Sequence, residues 1–194
     1  TALFLVAIPV TIGIIALPNS ITSVILGENF SLGAADIMPI LAITALLQGV
    51  KIYYFDLSFQ LGKKTSLQVW PVLIGGIVNI ILNLLLIPPL GIVGTAYATL
   101  ISYVLSITLS WIIGRLIFPI PFPLKDVVKI VICAFLMGML LFFRDTPGET
   151  LYGLVIKVGL GVGSYFVMVY IFNVWNIRGH FNSQLKRRKD ANEI

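Results

Sequence analysis

Of 194 residues, 58% are hydrophobic and only 11% are charged, and the mean hydropathy is +1.02. A water-soluble domain of this size has no use for so much apolar surface; the composition excludes one and points to a polytopic membrane protein. The net charge of +5 collects in short loops and a tail, and the lone cysteine, Cys133, lies in an apolar run, so neither a disulfide framework nor a cysteine metal cluster is expected.

The chain opens inside an apolar segment, without an initiator methionine, a basic leader or a small-residue cleavage site. A fragment, or one half of a longer transporter, is expected rather than a signal peptide. The first membrane segment covers residues 1–17, with Pro9 and Gly13 inside it, breakers that membrane helices tolerate. A less hydrophobic connection, residues 18–33, carries Ile21, Val24, Ile25 and Leu26, which are placed along the membrane surface. Its Asn29-Phe30-Ser31 matches a glycosylation acceptor, a pattern frequent by chance. The second segment, residues 34–60, has the heaviest polar load: Asp36, Gln48, Lys51 and Asp56.

After a turn with Lys63 and Lys64 come segments at residues 67–87 and 92–117. They are joined at Pro88-Pro89-Leu90-Gly91, where proline stops a helix and glycine permits the reversal. A proline-rich loop leads to residues 124–143, a Pro147-Gly148 turn to residues 151–175, and a basic tail, residues 176–194, ends the chain. Six helices of about 20 residues or more fit the apolar thickness of a bilayer. The expectation is an all-α bundle of six transmembrane helices in the cell membrane.

Orientation follows from the basic residues. If the tail with Lys186-Arg187-Arg188-Lys189 is cytoplasmic, so are the loops with Lys63, Lys64, Arg115 and Lys125, and Trp70, Trp111 and Trp175 fall near the same ends. Both termini would be cytoplasmic. Arg144 and Lys157 lie toward the outer side as helix-end anchors. The basic tail meets anionic lipid or solvent, with no nucleic-acid partner.

Several stretches carry a family resemblance: the Asn79–Asn83 pair, the Leu86-Ile87-Pro88 exit, Gly91-Ile92-Val93-Gly94, and Ala96 through Tyr103. Leu26-Gly27-Glu28-Asn29-Phe30 and Met38-Pro39-Ile40-Leu41-Ala42 fit the same pattern. In these the chain resembles the carboxy-terminal half of polysaccharide exporters and lipid-linked oligosaccharide flippases, within the multidrug/oligosaccharidyl-lipid/polysaccharide exporter superfamily. The resemblance implies one lobe of a two-lobed transporter built of parallel repeats of about six helices. It also implies alternating access, an amino-terminal six-helix lobe as partner, and a polyprenyl-diphosphate-linked glycan as cargo.

Candidate cavity residues follow from cost. A cation inside a membrane helix needs a cavity or a counter-charge. Lys51 is therefore read either as a point charge for an anionic diphosphate or as a residue that snorkels or pairs with Asp56. Gln48 is three positions earlier and shares its helix face. Asn79 and Asn83, one turn apart with Gly76 on the same face, either bond sugar hydroxyls or pack helix on helix. Thr95, Thr99, Ser102, Ser106 and Ser110 form a hydroxyl stripe, either a cavity wall or a packing seam. Gly159 to Gly163 is a GxxxG packing face. His180 is alone in the tail, so no metal site is expected. No nucleophile–base pair, phosphate-binding glycine loop or paired acids appear, so neither an enzyme nor a cofactor is expected. The rival readings are a drug or cation antiporter of the same superfamily, which needs acids deep in the lobe, a membrane enzyme of polysaccharide synthesis, and a non-transporting scaffold.

Overall fold

The computed structural model describes residues 1–26, 28–143 and 151–174. All regular structure among them is helical: α1 (Ala2–Ala16), α2 (Pro18–Leu26), α3 (Glu28–Val50), a π turn (Lys51–Phe55), α4 (Leu57–Leu61), a 3₁₀ turn (Thr65–Gln68), α5 (Val69–Leu90), α6 (Ile92–Ile117), α7 (Leu124–Phe143) and α8 (Leu151–Ile171). The proposed glycosylation side chain, Arg144, Trp175, His180 and the basic tail lie outside the described side chains.

Local chemistry sets the breaks. The residue before a proline is held out of the α region. Leu17 accordingly sits at φ −126°, ψ 38°, and Pro18 opens α2 from the position where its missing N–H costs nothing. The chain turns by 82° there. The expected surface connection is thus α2 followed by the first turns of α3, which starts at Glu28 rather than Ala34. Within α2 the polar Ser20 and Thr22 are buried while Ile25 is exposed.

The third segment does not stop at Pro88. α5 carries Pro88 and Pro89 in its last turn and ends at Leu90, because the bonds the prolines forgo lie at a helix end that is closing anyway. The Gly91 N–H closes it by donating to the Ile87 carbonyl at 2.8 Å. Gly91, at φ +58°, turns the chain straight into α6.

Four stretches are long and apolar enough to cross a membrane: Gly33–Leu61, Thr65–Leu90, Ile92–Ile117 and Leu151–Ile171. The bent pair α1–α2 makes a fifth if counted as one span. The sixth expected segment, α7, carries Lys125, Asp126 and Lys129 in its first two turns, so its apolar run starts at Ile130.

The helices stand in an open row in the spatial order α5, α6, α3, α1, α7, α8, with α2 laid against α3. The row is held in two ways. On the α1–α7–α8 side, Phe4, Ile8, Ile130, Cys133, Met137, Tyr165 and Val169 form an apolar core. The Tyr165 hydroxyl there donates to the Leu5 carbonyl at 2.8 Å.

On the other side the contact is made by small residues. The buried positions of α6 include Gly94, Ala98, Ser102, Ser106, Ser110 and Gly114, every fourth residue, which is one i±4 ridge. The stripe read from the sequence shares its lower half with this ridge. Its upper end differs, since Thr95 is exposed and Thr99 half-buried. A β-carbon on Gly75 of α5 would lie 3.0 Å from the Ser106 β-carbon, and one on Gly114 would lie 3.0 Å from that of Ser58. A β-carbon on Gly94 would strike the Leu86 carbonyl, so the hairpin closes only with glycine there. Gly159 and Gly163 face open space, and Gly161 packs on Leu141; the GxxxG pair packs on no helix of the described residues.

Candidate functional site: a polar cleft at a π turn

The span that contains α3 widens to a π turn where Lys51 begins. The Asp56 N–H reaches back five residues to the Lys51 carbonyl at 2.8 Å. One residue more than an α turn is taken up here, a local feature that recurs at functional positions. It sets the side chains of Lys51 and Asp56, five apart, on the same side: Lys51 Nζ donates to Asp56 Oδ2 at 2.7 Å, with side chains only 5% and 2% exposed. The span then continues through α4 to Leu61, so Asp56 is enclosed within it.

Two further donors meet the same carboxylate. Gln68 Nε2, from the 3₁₀ turn, donates to Oδ2 at 3.1 Å, and Ser110 Oγ, from α6, donates to Oδ1 at 2.9 Å. The carboxylate therefore ties together the α3 span, the start of α5 and α6. A buried ion pair holds only where extra hydrogen bonds satisfy its remaining lone pairs, and this one has them. Lys51 thus does not snorkel; it pairs with Asp56.

From this pair a cleft of about 470 Å³ runs between the π turn and the α5–α6 hairpin, lined by Lys51, Asp56, Gln68, Asn79, Thr99 and Ser106 among others. Asn79 Nδ2 donates across to Thr99 Oγ1 at 3.4 Å, while Thr99 donates to the Thr95 carbonyl of its own helix at 2.9 Å. Asn83 lies a turn beyond and donates to Asn79, at 2.9 Å to the carbonyl and 3.0 Å to Oδ1. Ser102 donates to the Ala98 carbonyl at 2.7 Å, and Ser106 crosses to the Pro71 carbonyl of α5 at 2.8 Å.

Of the sequence candidates, then, Lys51, Asn79, Thr99, Ser102 and Ser106 come together around one cleft. Gln48 and Thr95 are exposed and not among its walls. Sequence reasoning missed Gln68, Tyr103 and the reach of Ser110 to Asp56. Gln68 lies in a turn, and nothing in its neighbours signals burial.

On the far side of the π turn lies a second cavity of about 590 Å³, walled by Tyr54, Phe55, Trp111 and Phe122, with Arg115 at its edge. Tyr54 donates to the Pro121 carbonyl at 2.8 Å and meets the Phe122 and Phe55 rings edge-on at centroid distances of 5.4 and 5.3 Å. On the α8 side, Lys157 donates to Ser20 Oγ at 3.2 Å, tying α8 to α2. No group of three or more His, Cys, Asp or Glu among the described residues has the placement of a metal site.

No family model matches the chain. It is 28% identical over 169 residues, 87% of its length, to a Haloferax volcanii protein named a probable low-salt glycan biosynthesis flippase, Agl15. It is also 22% identical over 187 residues, 94% of its length, to an uncharacterized membrane protein of Methanocaldococcus jannaschii, MJ1068. Among solved structures its fold matches the lipid II flippase MurJ in an inward closed conformation, with TM-score 0.75, 21% identity and 88% of the chain covered. The chain spans about a third of each: 34%, 36% and 36% of their lengths.

Proposed function

We infer that this chain belongs to the flippase and polysaccharide-exporter family and is the carboxy-terminal lobe of a transporter carrying polyprenyl-diphosphate-linked oligosaccharide across the cell membrane, a reading supported by its similarity to a protein named a probable glycan biosynthesis flippase. The observation that carries this reading is a cation, Lys51, only 4% exposed, set in the wall of a polar cleft inside an apolar bundle. A diphosphate entering a low-dielectric layer gains most from a fixed positive charge. Asp56 holds Lys51 in place between loads, while Gln68 and Ser110 keep the carboxylate satisfied when Lys51 turns to the substrate. Asn79 and Thr99 offer amide and hydroxyl groups to sugar. The amino-terminal six-helix lobe supplies the facing wall, and the lobes rock against each other in alternating access. The end bearing Lys63, Lys64, Arg115 and Lys125 faces the cytoplasm, as do both termini of this segment. The chain acts by moving its cargo, not by catalysis.

The test separates charge from structure. Lys51→Gln alone leaves Asp56 buried without its partner, so it is combined with Asp56→Asn. Export of lipid-linked glycan by the full-length transporter is measured per folded molecule. Loss of export in the double variant, with export retained in Lys51→Arg, is expected. Wild-type export by the double variant would end the head-group role. The antiporter reading gains one point from the structure, since Asp56 lies deep in the lobe. Its carboxylate is, however, already held by Lys51, Gln68 and Ser110. Cation-driven drug efflux without glycan export would favour that rival.

A further inference from the structure

We propose that the aromatic cavity beyond the π turn is a binding site for an anionic membrane phospholipid, separate from the cargo cleft. Its volume, about 590 Å³, lies within the roughly 300–1,000 Å³ typical of ligand sites. Its walls are Tyr54, Phe55, Trp111 and Phe122, and none of its lining residues is acidic. The walls are fixed before anything binds: the hydroxyl of Tyr54 is held by the Pro121 carbonyl at 2.8 Å, and its ring by edge-on contacts with Phe55 and Phe122.

Among the described residues that line the cavity, the one charge is Arg115, in the last turn of α6. Its guanidinium carbon stands 5.9 Å above the Trp111 ring. The one ion pair among the described residues is Lys51–Asp56, so Arg115 has no carboxylate partner there. At that distance the indole contact is at the outer limit of a cation–π pair, and a guanidinium fork with no carboxylate partner can grip a phosphate by two bonds. Arg115 is exposed, as are Lys63 and Lys64. Gly62, just before these lysines, closes on Ile117, two residues past Arg115. Lys63 and Lys64 thus stand at the same end of α6 as Arg115, and basic residues at a membrane surface draw anionic head groups.

Charge complementarity therefore selects the occupant. A zwitterionic lipid gains little from this uncompensated positive charge, and a free phosphate would leave the aromatic walls bare. A phospholipid with one net negative charge satisfies both, its phosphate at Arg115 and a hydrocarbon chain along Tyr54, Phe55 and Phe122. The polyprenyl-linked cargo shares this chemistry, but the cavity opens on the opposite side of the π turn from Lys51.

Native mass spectrometry of the full-length protein, titrated with phosphatidylglycerol or phosphatidylcholine, tests the assignment. A preference for phosphatidylglycerol is expected, falling roughly tenfold in Arg115→Gln, the size of one charged hydrogen bond lost. Thr108→Trp, which fills the cavity and leaves Arg115 in place, is expected to expel the lipid, and Lys64→Gln to change binding less than either. Equal binding of the two lipids overturns the proposal, as does an unchanged preference in Arg115→Gln. Displacement of phosphatidylglycerol by a polyprenyl diphosphate at equal concentration would assign the cavity to the cargo instead. No bound lipid in any titration overturns the proposal as well.

Discussion

The two sides of the helix row are packed by different means. The α1–α7–α8 side is closed by Phe4, Ile8, Ile130, Met137 and Val169, the kind of contact a soluble protein would use. The α3–α5–α6 side is closed by glycines, serines and one ion pair. In water the first would dominate. In a bilayer the lipid is as apolar as the core, so apolar side chains gain little by choosing each other over lipid. Close approach and hydrogen bonds choose the partner and the register there, and the polar side is therefore the one that can hold a cleft to a defined shape.

The sharpest way to break this comparison is at Asp56. Asp56→Asn leaves Lys51 buried without its counter-charge, and loss of about 3–5 kcal/mol is expected. Thermal unfolding in detergent reads it directly, and adding Lys51→Gln should restore most of the loss. Full stability of Asp56→Asn would mean that the ion pair holds nothing.

On the apolar side, Met137, only 4% exposed, faces Gly13, where an added β-carbon would lie 4.0 Å from its terminal methyl. Met137→Ala opens a void, and a cost near the lower end of about 2–5 kcal/mol is expected, since lipid competes for the same contacts. Export per folded molecule should not change. A drop in export would show that the two sides are mechanically coupled rather than separately built.

The smallest effect is expected at Ser106. Ser106→Ala removes its bond across to the Pro71 carbonyl, worth about 0.6 kcal/mol and at most about 1.7 by the measure of similar membrane bonds. A larger loss, read by the same unfolding assay, would mark the α5–α6 seam as more than a sum of weak bonds.

Much of this was legible in the chain. Gly91 turns where the sequence places a turn, and the Asn79 and Ser106 helices pair as read. Composition specified a membrane protein, and apolar runs of about 20 residues specified its helices. The rest was hidden for a physical reason. Helices apolar all round carry no periodicity to say which face is inside, because lipid and core demand the same side chains. Only small and polar residues mark a face, which is why α6 could be read to within one residue and α3 could not. A π turn leaves no trace in such a helix. Lys51 and Asp56 were candidates for pairing, but the widened backbone that aligns them and the donors Gln68 and Ser110 from the next turn and α6 carry no mark in the sequence.

The one-residue link at Gly91 also bears on how the chain is made. During synthesis α5 emerges first, with Asn79 and Asn83 on a helix otherwise fit for lipid. Alone, Asn83 can still donate to Asn79 on its own helix, but the Asn79 amide N–H would face hydrocarbon unsatisfied, a state that disfavours leaving the insertion channel. Thr99, which meets Asn79, is only 20 positions further along, so the partner arrives within one more helix. With no loop to explore, α6 folds back as soon as it forms, and the pair enters the bilayer as a single hairpin with its polar groups already facing each other.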